Sequence, residues 1–333
     1  MPRRIRGKRH FQRCQDRSTV QVGREIDPWE ALKMKTILVP LDGSDLAARA
    51  LPFATALAKR AGWSILLLAA VDTLSAPDEE AKPGMIHAAR ATLDEVAAGL
   101  TAAGITTRTR AVAQQPETAI LEATADEDVT LVAMSTHGRS GIGRFIYGSV
   151  ADTVFRHAPV PVLTVPPHGL DEWPADGHIT IMVPLDGSEV SQSALAPAAE
   201  LAEVLGGSLL LASVIPFPSY AMAAEGFMVT PSLLDESPLT ETQAYLEELA
   251  AKLRTPTRQV EVCAIYGSPH FGVTTIARDR KVGAIVMATH GRGGVTRALL
   301  GSVATSTLRQ SDVPVVLVRP ETADQLEVDD PAT

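Results

Sequence analysis

The apolar residues of this 333-residue chain form short β-branched and aliphatic runs, which alternate with longer segments rich in alanine and leucine. The short runs predict strands at 36–41, 64–71, 105–113, 129–134 and 160–165. The longer segments predict helices at 45–61, 85–103, 116–126 and 149–157. Five strands that alternate with four helices favour a parallel, doubly wound sheet.

The same pattern begins again in the second half of the chain. The stretch ILVPLDGS at 37–44 returns as IMVPLDGS at 181–188, and the apolar run at 64–71 returns at 208–215. The second copy carries nine extra residues before its glycine-rich loop. They fit best in the segment 216–237, whose length and content of proline and methionine indicate a lid. The chain is therefore predicted to contain two α/β domains.

Changes in composition divide the chain into a basic N-terminal extension (1–34), a first domain (35–166), a linker (167–177), a second domain (178–320) and an acidic tail (321–333). The linker carries proline, glycine and charge without periodicity, as expected of a domain boundary. The extension is interpreted as a disordered basic arm, a transit-like leader or an in-frame extension that is not translated, and Met34 directly before the first strand favours the last. The tail is predicted to be disordered.

Composition and charge limit the classes of function. A hydrophobic content of 45% with 21% charged residues is that of a soluble globular protein. The net charge of −9 argues against nucleic acid as the main partner, and no apolar run approaches the ~20 residues of a membrane span. Cys14 and Cys263 have no companions at disulfide or zinc spacing. These features predict a cytoplasmic protein without a metal site of its own.

Two glycine-bearing stretches carry the candidate chemistry. Residues 132–150 (VAMSTHGRSGIGRFIYGSV) and 286–303 (VMATHGRGGVTRALLGSV) each run from an apolar segment through Thr-His-Gly-Arg to Gly-Ser-Val. This pattern predicts a strand, a loop and a helix N-terminus, whose unpaired N–H groups and dipole bind anionic oxygen. Neither stretch has the lysine of a Walker A loop, and Ile146 stands where a dinucleotide fingerprint needs glycine. We therefore expect a phosphate site of another kind.

The carboxyl end of the first strand supplies the other side of each predicted site. In a doubly wound sheet, ligands bind beyond the carboxyl ends of the strands where the strand order reverses. That rule places Asp42 beside the first loop and Asp186 beside the second. Each carboxylate is expected to accept hydrogen bonds from a base or ribose, while the loop and the next helix hold phosphates. The alternative is that each aspartate is a turn or cap residue, unless Ser44 and Ser188 are the caps.

Both copies are predicted to bind a nucleotide with equivalent residues. The apolar wall for the base is formed by Ala70, Val71, Ser213 and Val214. The first site comprises Pro40, Asp42, Ala70, Met134, Gly138, Arg139, Gly148, Ser149 and Val150. The second comprises Pro184, Asp186, Ser213, Met287, Gly291, Arg292, Gly301, Ser302 and Val303. Ser149 and Ser302 are interpreted as helix caps or as phosphate contacts.

These residues resemble those of tandem universal stress proteins, over residues 35–320. The resemblance is carried by VPLDGS at 39–44 and 183–188 and by the two Thr-His-Gly-Arg…Gly-Ser-Val loops. The ATP-binding pattern of that family, Gly-x2-Gly-x9-Gly-Ser/Thr, falls on Gly138, Gly148-Ser149, Gly291 and Gly301-Ser302. This chain departs from the pattern at its first glycine, where it has Ser135 and Ala288.

The resemblance implies the fold and the ligand together. Each domain is expected to be Rossmann-like, of the adenine-nucleotide alpha hydrolase-like type, with five parallel strands in the order 3-2-1-4-5 flanked by helices. ATP is the implied cofactor, with or without Mg²⁺. The resemblance also implies that the fifth strands pair, either within the chain or across a homodimer.

Catalysis is not expected at these sites. His137 and His290 precede the loop glycines without a carboxylate or nucleophile nearby in the sequence, so a structural hydrogen bond is their predicted role. The expected function is adenine-nucleotide binding in stress response or signalling, with at most slow ATP hydrolysis. The alternatives are a nucleotide-free interaction protein of the same fold and an ATP-pyrophosphatase-type enzyme, whose Ser-Gly-Gly-x-Asp-Ser loop this chain lacks.

Overall fold

A computed structural model of the chain describes residues 36–72, 81–126, 128–136, 148–175, 178–217, 237–290 and 300–320. The predictions for the N-terminal extension, for the acidic tail and for most of the lid lie outside these ranges. The strands of the first half are β1 (Thr36–Pro40), β2 (Ser64–Ala70), β3 (Thr107–Val112), β4 (Val129–Ser135) and β5 (Val162–Val165). Its helices are α1 (Asp45–Ala48), α2 (Ala50–Ala61), α3 (Ala81–Ala102), α4 (Pro116–Asp126) and α5 (Ser149–His157).

The second half repeats this order of elements. Its strands are β6 (Thr180–Pro184), β7 (Ser208–Ile215), β8 (Val260–Tyr266), β9 (Ala284–Ala288) and β10 (Val315–Val318). Its helices are α6 (Glu189–Gln192), α7 (Leu195–Leu205), α8 (Ser237–Leu253), α9 (Pro269–Asp279) and α10 (Ser302–Gln310). The predicted elements are thus present in both halves, with ends that shift by a few residues.

All of these strands belong to one ten-stranded sheet in the order β3-β2-β1-β4-β5-β10-β9-β6-β7-β8. Neighbouring strands are parallel within each half. Each half has the order 3-2-1-4-5, so the predicted fold class is confirmed. At the join β5 and β10 are antiparallel, with Leu163 opposite Val316. Each strand therefore covers the edge that the other would expose.

Helices cover both faces of the sheet. Along β1, Ile37 and Val39 belong to one core cluster and Leu38 belongs to the other, because successive side chains of a strand point to opposite faces. The first cluster contains residues of α2, α3, α7 and α8. The second contains residues of α4, α5, α9 and α10. Both clusters run through the two halves, so the join lies within a continuous core.

The first helix of each copy is divided into two, shortly before a proline. Pro52 and Pro197 predict a bend within one helix, but the structure has two helices in each place, α1 and α2 or α6 and α7. Each proline is the third residue of the second helix. Residues in a first helical turn have no intrahelical acceptor for their N–H groups, so the missing N–H of proline costs little there.

The linker packs onto both halves. The Arg49 guanidinium donates to Asp171 Oδ1 at 2.7 Å. Trp173 is only 3% exposed, and its ring meets that of Phe53 edge to face with centroids 5.0 Å apart. The Trp173 Nε1–H also donates to the carbonyl oxygen of Gly283 at 2.9 Å, in the second half. The linker is therefore a part of the core that joins the halves.

Candidate functional site

The turn after the first strand has the same hydrogen bonds in both copies. Oδ1 of Asp42 accepts hydrogen bonds from the N–H of Ser44 at 2.9 Å and from its hydroxyl at 2.6 Å. Oγ of Ser44 accepts from the N–H of Ala47 at 3.1 Å and caps α1. Asp186 and Ser188 repeat the aspartate–serine contacts at 3.0 and 2.6 Å. The serines are therefore the caps, and each aspartate is held in a turn at the end of its strand.

A left-handed glycine makes this turn. Gly43 has φ 79° and Gly187 has φ 85°, a conformation that residues with a side chain rarely adopt. Both glycines are exposed, so backbone conformation rather than packing requires them. The Asp-Gly-Ser sequence thus sets the backbone of the turn in which the carboxylate accepts its hydrogen bonds from serine.

The helix after the fourth strand begins at a glycine in both copies. Gly148 and Gly301 are the N-cap residues of α5 and α10 and offer no side-chain cap. The N–H of Gly148 donates to the carbonyl oxygen of Thr136 at 3.2 Å, and that of Gly301 donates to Thr289 at 2.8 Å. These bonds hold each helix start against the end of its strand.

Ser149 and Ser302 follow as the first helical residues. The interpretation of these serines as N-caps is therefore wrong, because the glycine before each of them has that position. The first turn of an α-helix has N–H groups without intrahelical acceptors, and it lies at the positive end of the helix dipole. The first turn beginning at Ser149 thus supplies the donors that an anionic ligand needs.

A cavity of about 640 Å³ lies between the Asp42 turn and the start of α5. It is at the carboxyl ends of β1, β2 and β4, and its volume is within the range of about 300–1,000 Å³ typical of small-molecule sites. It brings together all the residues of the predicted first site that the structure describes, Pro40, Asp42, Ala70, Met134, Gly148, Ser149 and Val150. Gly138 and Arg139 lie outside the described residues.

Helix α3 forms a wall that the sequence prediction missed. The cavity-lining residues of this helix are Met85, Ala88, Ala89, Thr92 and Leu93. Their spacing is that of one helical face, and the small side chains along it were the signal available. The hydroxyl of Thr92 donates to the carbonyl oxygen of Ala88 at 3.2 Å, within the same helix.

The charges near α5 favour an anion at its start. Asp152 is in the first turn of α5, where an unpaired carboxylate competes with an anionic ligand. Arg156 donates two hydrogen bonds to this carboxylate, from Nε at 2.9 Å and from Nη2 at 2.8 Å. These hydrogen bonds raise the pKa of Arg156. The charge of Asp152 is therefore paired along the helix, which leaves the helix dipole to act on the cavity.

The second half repeats the turn and the helix start of this crevice in its described residues. Asp186 and Gly301 occupy the positions of Asp42 and Gly148, as shown above, while Gly291 and Arg292 lie outside the described residues. The β1–β2 and β6–β7 ladders share one register. That register makes Val214, rather than Ser213, the counterpart of Ala70. Pro184 ends β6, Met287 lies in β9, and Ser302 and Val303 are the first two residues of α10.

His290 contacts the residue before it. Its Nδ1 lies 3.0 Å from Oγ1 of Thr289, and its Nε2 is buried without a hydrogen-bond partner in the part of the chain that the structure describes. Within that same part, no group of three or more His, Cys, Asp or Glu residues has the arrangement of a metal site. None of the described helices combines the length and apolarity needed to span a membrane.

Comparison with known proteins relates this architecture to one family. Residues 33–166 and 179–319 each match the model of the universal stress protein family. A universal stress protein of Mycobacterium tuberculosis is 28% identical over 193 residues, which are 58% of this chain and 62% of that protein. A universal stress protein of Thermus aquaticus is 33% identical over 136 residues, which are 39% of this chain and 98% of that protein. The chain thus spans less than two thirds of the mycobacterial relative.

Solved structures share the arrangement of the sheet and helices. A universal stress protein from Archaeoglobus fulgidus has a TM-score of 0.68 at 23% identity and covers 86% of this chain and 99% of its own. A putative universal stress protein from Pseudomonas aeruginosa has a TM-score of 0.60 at 17% identity, with coverage of 87% and 95%. At these identities the similarity shows the fold.

Proposed function

The chain belongs to the universal stress protein family, and we propose that its first half binds an adenine nucleotide, ATP in particular. The observation that carries the proposal is the cavity of about 640 Å³ between Asp42 and the start of α5. It joins a carboxylate, an apolar wall and a helix N-terminus within one crevice of suitable size. A nucleotide needs the same three features, for its ribose or base edge, its base and its phosphates.

The contacts follow from the chemistry of each wall. Ser149 and Val150 begin α5 and line the cavity, and on this proposal their N–H groups, with the Ser149 hydroxyl, donate to phosphate oxygens. The carboxylate of Asp42 accepts from the ribose hydroxyls or the adenine amino group. Ala70 and Met134 pack against the base. Mg²⁺, where present, enters with the phosphates, since phosphates together with a few protein ligands are its usual site in nucleotide-binding proteins.

Nucleotide occupancy is proposed to serve stress response or signalling in the cytoplasm. The volume of the cavity and the helix start beside it support a role as a binding site. On this proposal the protein changes its choice of partner according to whether the crevice is filled, and any hydrolysis of ATP is slow. The pairing of β5 with β10 supports a nucleotide-binding form in which the two halves of one chain pair with each other.

The test begins with protein purified without added ligand. The protein is denatured, the supernatant is chromatographed for adenine nucleotides, and the stripped protein is titrated with ATP while its Tm is followed. We expect released nucleotide and a Tm that rises with ATP, because a ligand that binds only the folded state stabilises it. Absence of both results would contradict the proposal and favour a nucleotide-free interaction protein. Repeated turnover of ATP with an acceptor would instead favour the pyrophosphatase-type enzyme.

Substitution of Asp42 separates its two roles. Asp42→Asn keeps an oxygen to accept from Ser44 but replaces the charge, whereas Asp42→Ala removes the turn bonds as well. We expect both variants to weaken ATP binding about 10–100-fold, since a hydrogen bond to a charged group contributes about 1.5–3 kcal/mol. Only the alanine variant should also lower stability. An unchanged Kd for ATP in the asparagine variant would contradict the proposed role of Asp42 in binding.

A further inference from the structure

The helix before the third strand packs in the same register in both halves. Leu93 of α3 is 1% exposed and Leu246 of α8 is 0% exposed, and both belong to one core cluster. The following residues that contact this cluster align in the same way, with Val96, Ala97 and Leu100 matching Leu249, Ala250 and Leu253. Positions 84–100 of α3 therefore have defined counterparts at 237–253 in α8.

The side chains at the crevice differ although the register is shared. The cavity-lining residues of α3 include the small side chains of Ala88 and Thr92. Their counterparts in α8 are Glu241 and Tyr245. The wall that admits a ligand in the first half thus carries a carboxylate and a phenol ring in the second. A carboxylate at this position also repels a polyphosphate.

Tyr245 is directed into the fold rather than into solvent. Its side chain is partly buried, packs against the core cluster and has a buried hydroxyl oxygen, whereas Thr92 is exposed. The leucine before the aspartate of each turn, Leu41 or Leu185, differs in burial in the same direction. Leu41 lines the cavity of the first half and is only partly buried, but its counterpart Leu185 is 3% exposed and belongs to the core cluster. Side chains thus cover the surface that the first half leaves open.

We infer that the chain binds one adenine nucleotide, in the first half, and that the residue at the position of Thr92 decides which crevice is open. Threonine leaves room for the ligand, and Tyr245 occupies the equivalent space. The second half keeps its Asp186 turn and its Gly301 helix start as parts of the fold. This inference rests on the proposed function, because it assigns the nucleotide site to one of two related crevices.

Calorimetric titration of the full chain with ATP and Mg²⁺ tests the assignment. We expect the wild type to bind one equivalent and Thr92→Tyr to lose at least about tenfold in affinity, a change of about 1.4 kcal/mol. Tyr245→Thr should add a second equivalent. Two controls test whether the effect comes from the volume of the side chain in the crevice. Ala91→Tyr places the same bulk at an exposed neighbouring position outside the cavity lining and should still bind, and Tyr245→Phe should bind no second equivalent.

The outcomes distinguish this inference from the proposal beneath it. Two equivalents bound by the wild type, or unchanged affinity in folded Thr92→Tyr, would overturn the inference and leave nucleotide binding intact. No ATP bound by the wild type would overturn the proposed function itself. Far-UV circular dichroism verifies folding of each variant. If Tyr245→Thr fails to fold, the wild-type stoichiometry and Thr92→Tyr still decide the question.

Discussion

The two crevices share a backbone and differ in the side chains beside it. The aspartate–serine distances of the two turns agree within 0.1 Å, and both helix starts have glycine N-caps with ψ of 148°. On the wall formed by α3 in the first half and by α8 in the second, Tyr245 takes the position of Thr92. Turns and caps depend on local conformation, which a duplicated sequence preserves, whereas an open space depends on every side chain around it. A repeat therefore keeps the backbone of its turns and helix starts more readily than the open space beside them.

The two halves also differ where the second strand packs against the fourth helix. In the first half these elements contribute Ala70 and Ala119, and in the second half they contribute Val214 and Gly272. A Cβ added to Gly272 would lie 2.7 Å from Cγ1 of Val214. The second half has thus moved side-chain volume from the helix to the strand, which keeps the contact close-packed.

The largest expected effect concerns Trp173, which belongs to the join and has no counterpart in either half. We expect Trp173→Ala to lower the free energy of unfolding by about 3–5 kcal/mol, because it leaves a cavity beside Phe53. Urea titrations followed by circular dichroism measure the change. Trp173→Phe is the control, since it keeps a ring and loses the hydrogen bond to Gly283, at a cost of about 1–3 kcal/mol. A loss below about 1 kcal/mol in the alanine variant would show that the linker is not part of the core.

A smaller effect is expected where the halves distribute volume differently. Gly272→Ala should destabilise the protein by about 1–3 kcal/mol through overpacking, although alanine favours a helix more than glycine does. Adding Val214→Ala recreates the combination of the first half and should restore most of the stability. Thermal unfolding of the single and double variants measures this coupling. Equal losses in both variants would mean that Val214 is not the obstacle.

The smallest effect distinguishes the first long helices of the halves, α2 and α7, which pack against each other. Glu200 of α7 has Ala56 as its counterpart in α2. Burial, together with the nearby Glu203, raises the pKa of Glu200 to about 7. The folded state then binds more protons than the unfolded state between about pH 4.5 and 7, so this residue lowers stability as the pH rises through that window.

Glu200→Gln should therefore stabilise the protein at pH 8 by about 1 kcal/mol, a figure reduced for screening at a half-buried position. At pH 4 the variant and the wild type should unfold at the same denaturant concentration. Urea titrations at both pH values test the difference. Equal stabilisation at both would point to packing or hydrogen bonding rather than to the charge.

Much of the site could be predicted because it depends on local sequence. Asp42 and Gly43 follow a buried strand, and Gly148 precedes a helix, so motif and topology were sufficient to bring them to one crevice. The predicted helix 149–157 agrees with α5, but the cap role considered for Ser149 was wrong, because the N-cap is Gly148, which has no side chain to reveal that position in the sequence. The wall formed by α3 was missed, because which face of a helix meets a cavity depends on how the helix packs.

The sequence by itself determined the two copies, the order of their elements and the aspartate and glycine positions at each crevice. These features follow from hydrophobic periodicity and from backbone preferences that act over a few residues. Only the tertiary structure decided that the linker enters the core, that β5 pairs with β10 of the same chain, and that α8 presents Tyr245 at the position that Thr92 has in α3. Each of these depends on contacts between residues far apart in the chain, which no local pattern of residues encodes.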